Sequence, residues 1–334
     1  MPPLLEVKNL KVTFNTMAGI VKAVDGVSYH IDEEEVVGLV GESGCGKSVS
    51  QLATLQLIPT PPGQITGGEV IFEGRDLLKY KADSNEMRAV RGAKISMIFQ
   101  EPMTSLNPVF SIGDQITETL SLHLKLNHQD AQRRAIELLE QVGIPDAAIR
   151  ISNYPHQFSG GMRQRAMIAM ALACHPKLVI ADEPTTALDV TTQAQVLEVM
   201  MDMVKKIHNS LVIVTHNLGI VARYAQRIYV MYAGRIVEAG TSDDVFRDPR
   251  HPYTIALLKS VPRLDEPRGR QLVPILGLPP NLINLPPVCA FKARCSLAGE
   301  CKKETDPDLR QVGDNHFVRC HIDTKGGSSG IIQG

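Results

Sequence analysis

An α/β fold with a helical insert and a loop-rich C-terminal module is predicted by three observations in this 334-residue chain. Short β-rich segments alternate with helical stretches over residues 4–80 and again from Lys177 onward. Helical spacing of apolar residues takes over between about 104 and 175. Beyond about residue 250 the composition turns proline-rich and loses its periodicity, as in "LVPILGLPPNLINLPPVC".

Length alone predicts one large domain with an appendage, or two domains. The chain is 43% apolar and 21% charged, an ordinary globular balance, and its 35 basic residues almost cancel 36 acidic ones. That balance gives no electrostatic case for a nucleic-acid partner. No apolar run approaches the ~18 residues that a membrane span needs, "MIAMALAC" being among the longest. The opening "MPPLLEVKNLKVTF" lacks a basic stretch followed by an apolar one and reads as a cytosolic N-terminus, where thiols stay reduced.

Taken in order, "LLEVKNLKVTF", "VVGLV" and "EVIFEG" read as strands that open with an antiparallel edge, and a helix follows Lys47. "AQRRAIELLEQVGI" and "GMRQRAMIAMALAC" place a helical subdomain over about 104–175. "KLVIADE" is a buried strand, "TTQAQVLEVMMDMVKKIH" a helix and "LVIVTH" a further strand. A helix starts at Leu218, and "RIYVMYAG" and "RIVEAG" pair. The expected organisation is a nucleotide-binding domain over 1–250, an extension over 251–325, and a tail of flexible composition over 326–334.

"GESGCGKS", Gly41 to Ser48, sits between a buried strand and a helix, the context that the G-x-x-x-x-G-K-[ST] phosphate-binding pattern requires. Gly41, Gly44 and Gly46 let the loop curl so that backbone N–H groups, including those of Ser43, Cys45 and Val49, face phosphate oxygens. Lys47 brings a positive charge to the β- and γ-phosphates of ATP, and Ser48 offers a hydroxyl to Mg²⁺. Cys45 fills a variable slot, where backbone geometry matters more than the side chain. "LVIADE" supplies the complementary acids at the C-terminal end of a strand, where α/β sheets bind ligands. Asp182 is the candidate for the Mg²⁺ shell, and Glu183 the candidate to polarise an attacking water.

"FSGGMRQR", Phe158 to Arg165, opens a helix with Ser159, Gly160 and Gly161. Alone it reads as an N-cap. Together with a phosphate loop it reads as a second anion-binding turn, so that two ATPase modules would pack head to tail, each turn closing on the other's γ-phosphate.

With these motifs in order, residues 4 to about 248 resemble the nucleotide-binding subunit of an ATP-binding cassette (ABC) transporter. The resemblance implies a P-loop ABC ATPase core, a RecA-like sheet plus an antiparallel β subdomain, carrying the helical insert. It implies that Gln100 in "IFQEP" contacts Mg²⁺ or the attacking water and reports to membrane subunits. It likewise makes His216 in "VTHNL" a γ-phosphate switch and Asp189 in "TALD" a contact to the opposite module. Phe14 in "KVTF" would stack on adenine; the other reading is a core-facing strand residue.

"HPYTIALLKSVP" and "DEPTTALDVTTQAQVL" resemble the ATPase subunits of dipeptide, oligopeptide and nickel permeases. That resemblance implies ATP-driven dimer closure powering peptide import. The implied partners are a second, different ATPase subunit, two transmembrane permease subunits and, indirectly, an extracytoplasmic peptide-binding protein, with the chain on the cytoplasmic face of the membrane. The competing readings are a soluble ABC ATPase acting on ribosomes or nucleic acid, and a metal-binding sensor in which ATP is only structural.

Four of the six cysteines, Cys289, Cys295, Cys301 and Cys320, cluster in the extension. Six-residue steps rotate a helical side chain by about 240°, so the first three cannot share a helix face and need a loop. The spacing lacks the close pairs usual for zinc. It suits a [4Fe–4S] cluster, which takes one thiolate per iron and which some peptide-permease ATPases of similar pattern bind. Zinc, and thiols that ligate nothing or pair as disulfides, stay open as alternatives. A cluster would staple a module with too little core of its own. Lys292, Arg294, Lys302 and Lys303 nearby either offset the thiolate charge or form a solvated surface.

Overall fold

The computed structural model describes residues 2–101, 105–186, 188–260, 274–322 and 324. Its strands run, in chain order, β1 (Leu5–Thr16), β2 (Gly19–Ile31), β3 (Val36–Val40), β4 (Gly63–Phe72), β5 (Arg75–Asp76), β6 (Ile95–Ile98), β7 (Leu178–Asp182), β8 (Ser210–Thr215), β9 (Arg227–Tyr232), β10 (Arg235–Thr241), β11 (Arg310–Gln311) and β12 (Phe317–Val318). They fall into two compact units: Met1–Ile31, Val36–Leu78 and Thr215–Gly334 in one, Asp32–Glu35 and Lys79–Val214 in the other.

The first unit holds the antiparallel sheet β2-β1-β4-β5. Period-2 alternation buries Leu5 and Val7 of β1, then skips one position to bury Leu10 and Val12. The skip coincides with a register shift between Val7 and Leu10 and with Asn9 at φ 47°. One extra residue at such a bulge keeps the apolar set facing inward, where an uninterrupted strand would have turned Leu10 to solvent.

In the same unit β3, β9, β10, β12 and β11 lie side by side. β3 pairs with β9 in parallel, and the remaining pairings are antiparallel. All five residues of β3 are buried, as expected of a strand covered on both faces. The C-terminal extension contributes β11 and β12, which cover the edge of β10 and remove a row of unpaired backbone groups.

The extension has more core than its composition promised. Phe291 packs edge-on to Tyr232 and Tyr253, with ring centroids 5.2 and 5.4 Å apart, and the two tyrosines meet at 4.6 Å. Leu282, Leu285, Ala290 and Cys289 pack around this cluster. Below it, Glu238 of β10 is fully buried and accepts three hydrogen bonds: from the backbone N–H of Arg250 (2.6 Å), that of His251 (2.9 Å) and the His316 ring Nε2 (2.7 Å). A buried carboxylate is tolerated only when satisfied in this way. His251 then caps the helix Pro252–Lys259, its Nδ1 accepting from the Tyr253 N–H at 3.0 Å, with Pro252 at the first helical position.

The second unit holds three parallel strands in the order β8-β7-β6. Its main helices are Ile112–Leu124, His128–Gln141, Gly160–Leu172 and Val190–Lys206. Each starts at a residue whose side chain satisfies an orphan N–H: Ser111, Asn127, Ser159 and Asp189. Ser111 and Asp114 form a reciprocal capping box. The first three of these helices fall within the stretch of about 104–175 that reads as helical in sequence. No helix among the described residues is long and apolar enough to cross a membrane. The flexible-tail expectation for 326–334 lies outside the described residues.

Candidate nucleotide-binding site

In the first unit, Val40 ends β3 and the loop Gly41–Gly46 leads into the helix Lys47–Thr54. The glycines are required by space as well as by angle. Gly41 has φ +155°, and a Cβ there would sit 2.2 Å from the Met231 carbonyl oxygen. Gly46 has φ +104°, and a Cβ there would sit 2.2 Å from the Ala23 carbonyl oxygen. Gly46 stands at the N-cap with no side chain to satisfy the first-turn N–H groups, which leaves them for an anion. Ser43 and Gly44 are exposed at the tip, while Ser48 and Val49 are half-buried at the start of the helix.

The Lys47 ammonium bends back over the loop, donating to the carbonyls of Gly41 (2.8 Å) and Glu42 (3.0 Å). Cys45 is buried beneath it, and burial pushes its thiol up, against the reactive direction, as a variable slot would have it. Behind the helix, Gln51 Nε2 donates to the Tyr29 hydroxyl at 3.0 Å and Ser50 Oγ to the Lys47 carbonyl at 2.6 Å. Burial raises the Tyr29 phenol to about 12, so this packing partner of the loop helix stays protonated.

Phe14 of β1 is half-buried, with its ring edge 2.8 Å from where a Cβ on Gly63 would stand. It therefore lies outside the fully buried set of Val7, Leu10 and Val12 and offers ring surface. His216 is exposed immediately after β8, where Asn217 donates its N–H to Thr215 Oγ1 (2.9 Å) and caps the next helix.

In the second unit β7 delivers Asp182 and Glu183, both buried. Glu183 leaves the strand at φ 45°, with its N–H still donating to the Val214 carbonyl at 2.8 Å. Its Oε2 accepts from Gln100 Nε2 at 3.1 Å and from Thr186 Oγ1 at 3.0 Å. Two of the sequence candidates, 83 positions apart, thus share one hydrogen bond, and Thr186 joins them unannounced. Ser159 Oγ accepts from the Met162 N–H at 3.3 Å, the N-cap role read from sequence. Gly161 faces the helix that Asp189 starts: a Cβ there would stand 2.7 Å from Thr192 Cγ2. Asp189 itself accepts from the Thr192 N–H (2.9 Å) and hydroxyl (2.7 Å), and these bonds hold its carboxyl below the usual range.

The four-cysteine expectation has no direct support in the described geometry. Among the described residues no three His, Cys, Asp or Glu side chains converge closely enough to hold a metal ion, and all six cysteines are free. Burial pushes the Cys289, Cys295 and Cys320 thiols up, and each of these feels the charge of two other members of the set. The four therefore share one neighbourhood as thiols. Of the basic residues nearby, Lys302 and Lys303 are exposed, as the solvated-surface reading has it, while the other two are paired. Lys292 pairs with Glu304 at 2.5 Å, and Arg294 reaches the phosphate loop, its side chain 5% exposed and its guanidinium donating to both Glu42 carboxylate oxygens at 2.6 and 2.9 Å. Tyr253 Oη accepts the Glu42 N–H at 2.8 Å. No sequence pattern marked Glu42, Arg294 or Tyr253 as partners.

Comparison with known proteins places this geometry. Residues 24–186 match the family described as ABC transporter, and residues 237–301 match the one described as oligopeptide/dipeptide transporter, C-terminal region. The oligopeptide transport ATP-binding protein OppD of Bacillus subtilis (strain 168) is 54% identical over 316 residues, covering 95% of this chain and 88% of its own. The dipeptide transport ATP-binding protein DppD of the same organism is 47% identical over 334 residues, covering 100% and 99%. Among solved structures, the dimeric post-hydrolysis state of the ATP-binding cassette MJ0796 bound to ADP and Pi superposes with a TM-score of 0.63 at 26% identity, covering 71% of this chain and 98% of that one.

Proposed function

The chain belongs to the ABC transporter family, in its oligopeptide/dipeptide branch, and from that premise we propose that it is the ATP-hydrolysing subunit that powers peptide import. The observation that carries this reading is the occurrence, in one chain, of an ABC core and an oligopeptide-type C-terminal region. The two relatives named for oligopeptide and dipeptide transport match nearly end to end. A soluble ABC ATPase acting on ribosomes or nucleic acid has no support from these relatives or from a net charge of −1.

In this reading the loop Gly41–Ser48 with Val49 binds the phosphates of ATP and Lys47 meets the β- and γ-phosphates, while Phe14 stacks on adenine. Ser48, Gln100 and Asp182 are the oxygen donors that would hold Mg²⁺, a hard cation that favours such ligands and screens phosphate charge when bound. Glu183 accepts a proton from the attacking water as general base; the Gln100 and Thr186 donors fix which way its carboxylate points. His216 senses the γ-phosphate. Ser159, Gly160, Gly161 and Asp189 serve the nucleotide of a second ATPase subunit, a different chain, so that ATP favours the closed pair and hydrolysis releases it. The pair drives two transmembrane subunits at the cytoplasmic face of the membrane, supplied by an extracytoplasmic peptide-binding protein. The domain division follows the same logic: an ATPase over 1–250 and an extension over 251–325.

For the extension we propose that Cys289, Cys295, Cys301 and Cys320 ligate a [4Fe–4S] cluster. The support is the donor set, one thiol for each iron, and the shared electrostatic neighbourhood of the four. Zinc would need several of these donors on one ion at ~2.3 Å, a tighter convergence than the described thiols make. Anaerobic purification with iron and acid-labile sulfide analysis decides: about four of each per chain is expected, and zinc or no metal overturns it.

The transport reading is tested by reconstituting the chain with its permease subunits in vesicles and following labelled peptide. Uptake that requires ATP and is abolished by Glu183→Gln is expected. Uptake indifferent to ATP, or hydrolysis with no peptide moved by any tested length, contradicts it.

A further inference from the structure

Glu42 occupies the second position of the phosphate loop, and three residues hold it. Its N–H donates to Tyr253 Oη at 2.8 Å, its carbonyl accepts from Lys47 Nζ at 3.0 Å, and its carboxylate takes both arms of Arg294 at 2.6 and 2.9 Å. Arg294 is fixed in turn. Its Nε donates to the Leu276 carbonyl at 3.1 Å, a guanidinium arm reaches the Tyr232 hydroxyl at 3.3 Å, and its carbon centre lies 5.8 Å from the centroid of the Tyr232 ring. The side chain of Arg294 is 5% exposed, that of Glu42 25%. The pairing with Glu42 drives the guanidinium above its ordinary range.

A carboxylate beside a triphosphate site is an electrostatic liability, because its charge opposes the charge of the ligand. A bidentate guanidinium both cancels that charge and fixes the direction of the carboxylate, which an ammonium on a flexible stem does less well. We propose that Arg294 is a positioning residue for ATP binding: it neutralises Glu42 and holds its carboxylate off the phosphate path, so that nucleotide affinity depends on the C-terminal extension. The inference rests on the ATPase reading above. It gives the extension a task in the nucleotide cycle, and Tyr253 of the "HPY" segment is the second tie between extension and loop.

The test is titration of the full-length chain with a fluorescent ATP analogue and Mg²⁺, for wild type, Arg294→Met, Glu42→Gln and the double variant, with thermal melts to check folding. Saturable wild-type binding tests the ATPase reading by itself. Arg294→Met should weaken affinity by at least about fivefold. Adding Glu42→Gln should recover most of that loss, and raising the salt should shrink it. A purely structural ion pair lowers the melting temperature without this rescue. Wild-type affinity in Arg294→Met, or a loss that Glu42→Gln leaves in place, overturns the proposal. Should Arg294→Met fail to fold, Arg294→Lys with and without Glu42→Gln makes the same comparison.

Discussion

Gln100 donates through Nε2 to Oε2 of Glu183 across 3.1 Å, and Thr186 Oγ1 donates to the same oxygen at 3.0 Å. Glu183 itself leaves β7 with a positive φ, an unusual conformation for a residue with a side chain. A positive φ and two donors on one carboxylate oxygen hold the Glu183 carboxylate in a set direction. If Glu183 is the base proposed above, the two donors orient it.

Removing one of the two donors should loosen that orientation without touching the phosphate loop. Gln100→Ala, which also removes one of the proposed Mg²⁺ donors, is expected to lower turnover at saturating Mg²⁺ and ATP by about tenfold, in line with the loss of one hydrogen bond to a charged group. Steady-state ATPase kinetics beside equilibrium nucleotide binding make the comparison. An unchanged turnover number would show that Thr186 alone suffices.

Gly161 is a glycine because of Thr192. The Cβ of Gly161→Ala would meet Thr192 Cγ2 at 2.7 Å, and overpacking of this kind costs about 1–3 kcal/mol. Thr192→Ser deletes that methyl yet keeps the hydroxyl that donates to Asp189. Urea unfolding of the single and double variants should therefore show destabilisation by Gly161→Ala and its relief in the pair. Destabilisation that persists in the pair would place the cause elsewhere.

His251 links stability to pH. Burial takes its pKa from 6.5 to about 4, the effect of Glu238 opposing the shift and the charge of Arg319 adding to it. The unfolded chain takes up this proton near 6.5 while the folded chain does so only near 4, so the stability contribution is complete above that window and is lost as pH falls through it. The whole loss amounts to about 3 kcal/mol. His251→Gln should flatten the stability profile between pH 4 and 6.5, as read by denaturant midpoints. A variant whose profile keeps the wild-type slope would assign the effect to other groups.

The core and the phosphate loop were legible because each rests on local rules. β3 is an unbroken apolar run, the loop glycines sit where only glycine fits, and Ser159 is the expected N-cap. What the sequence hid are pairings across long separations. Glu42 and Arg294 stand 252 positions apart and Glu238 and His316 stand 78 apart, and no periodicity or motif spacing connects either pair. The extension looked coreless for the same reason: Phe291 completes a cluster whose tyrosines lie in other segments. The cysteines are the reverse case: their clustering in sequence is plain, while the described residues form no group of three that could hold a metal ion.

The most direct test of the account is ATP hydrolysis by Glu183→Gln, set beside its ATP binding. Glutamine keeps the size and the acceptor oxygen for Gln100 but gives up the basicity, so hydrolysis should fall by about 10²–10⁴-fold while nucleotide affinity stays within about twofold of wild type. Hydrolysis that survives the substitution, or binding that falls in parallel with it, would contradict the assignment of Glu183 as the base and with it the catalytic reading of this chain.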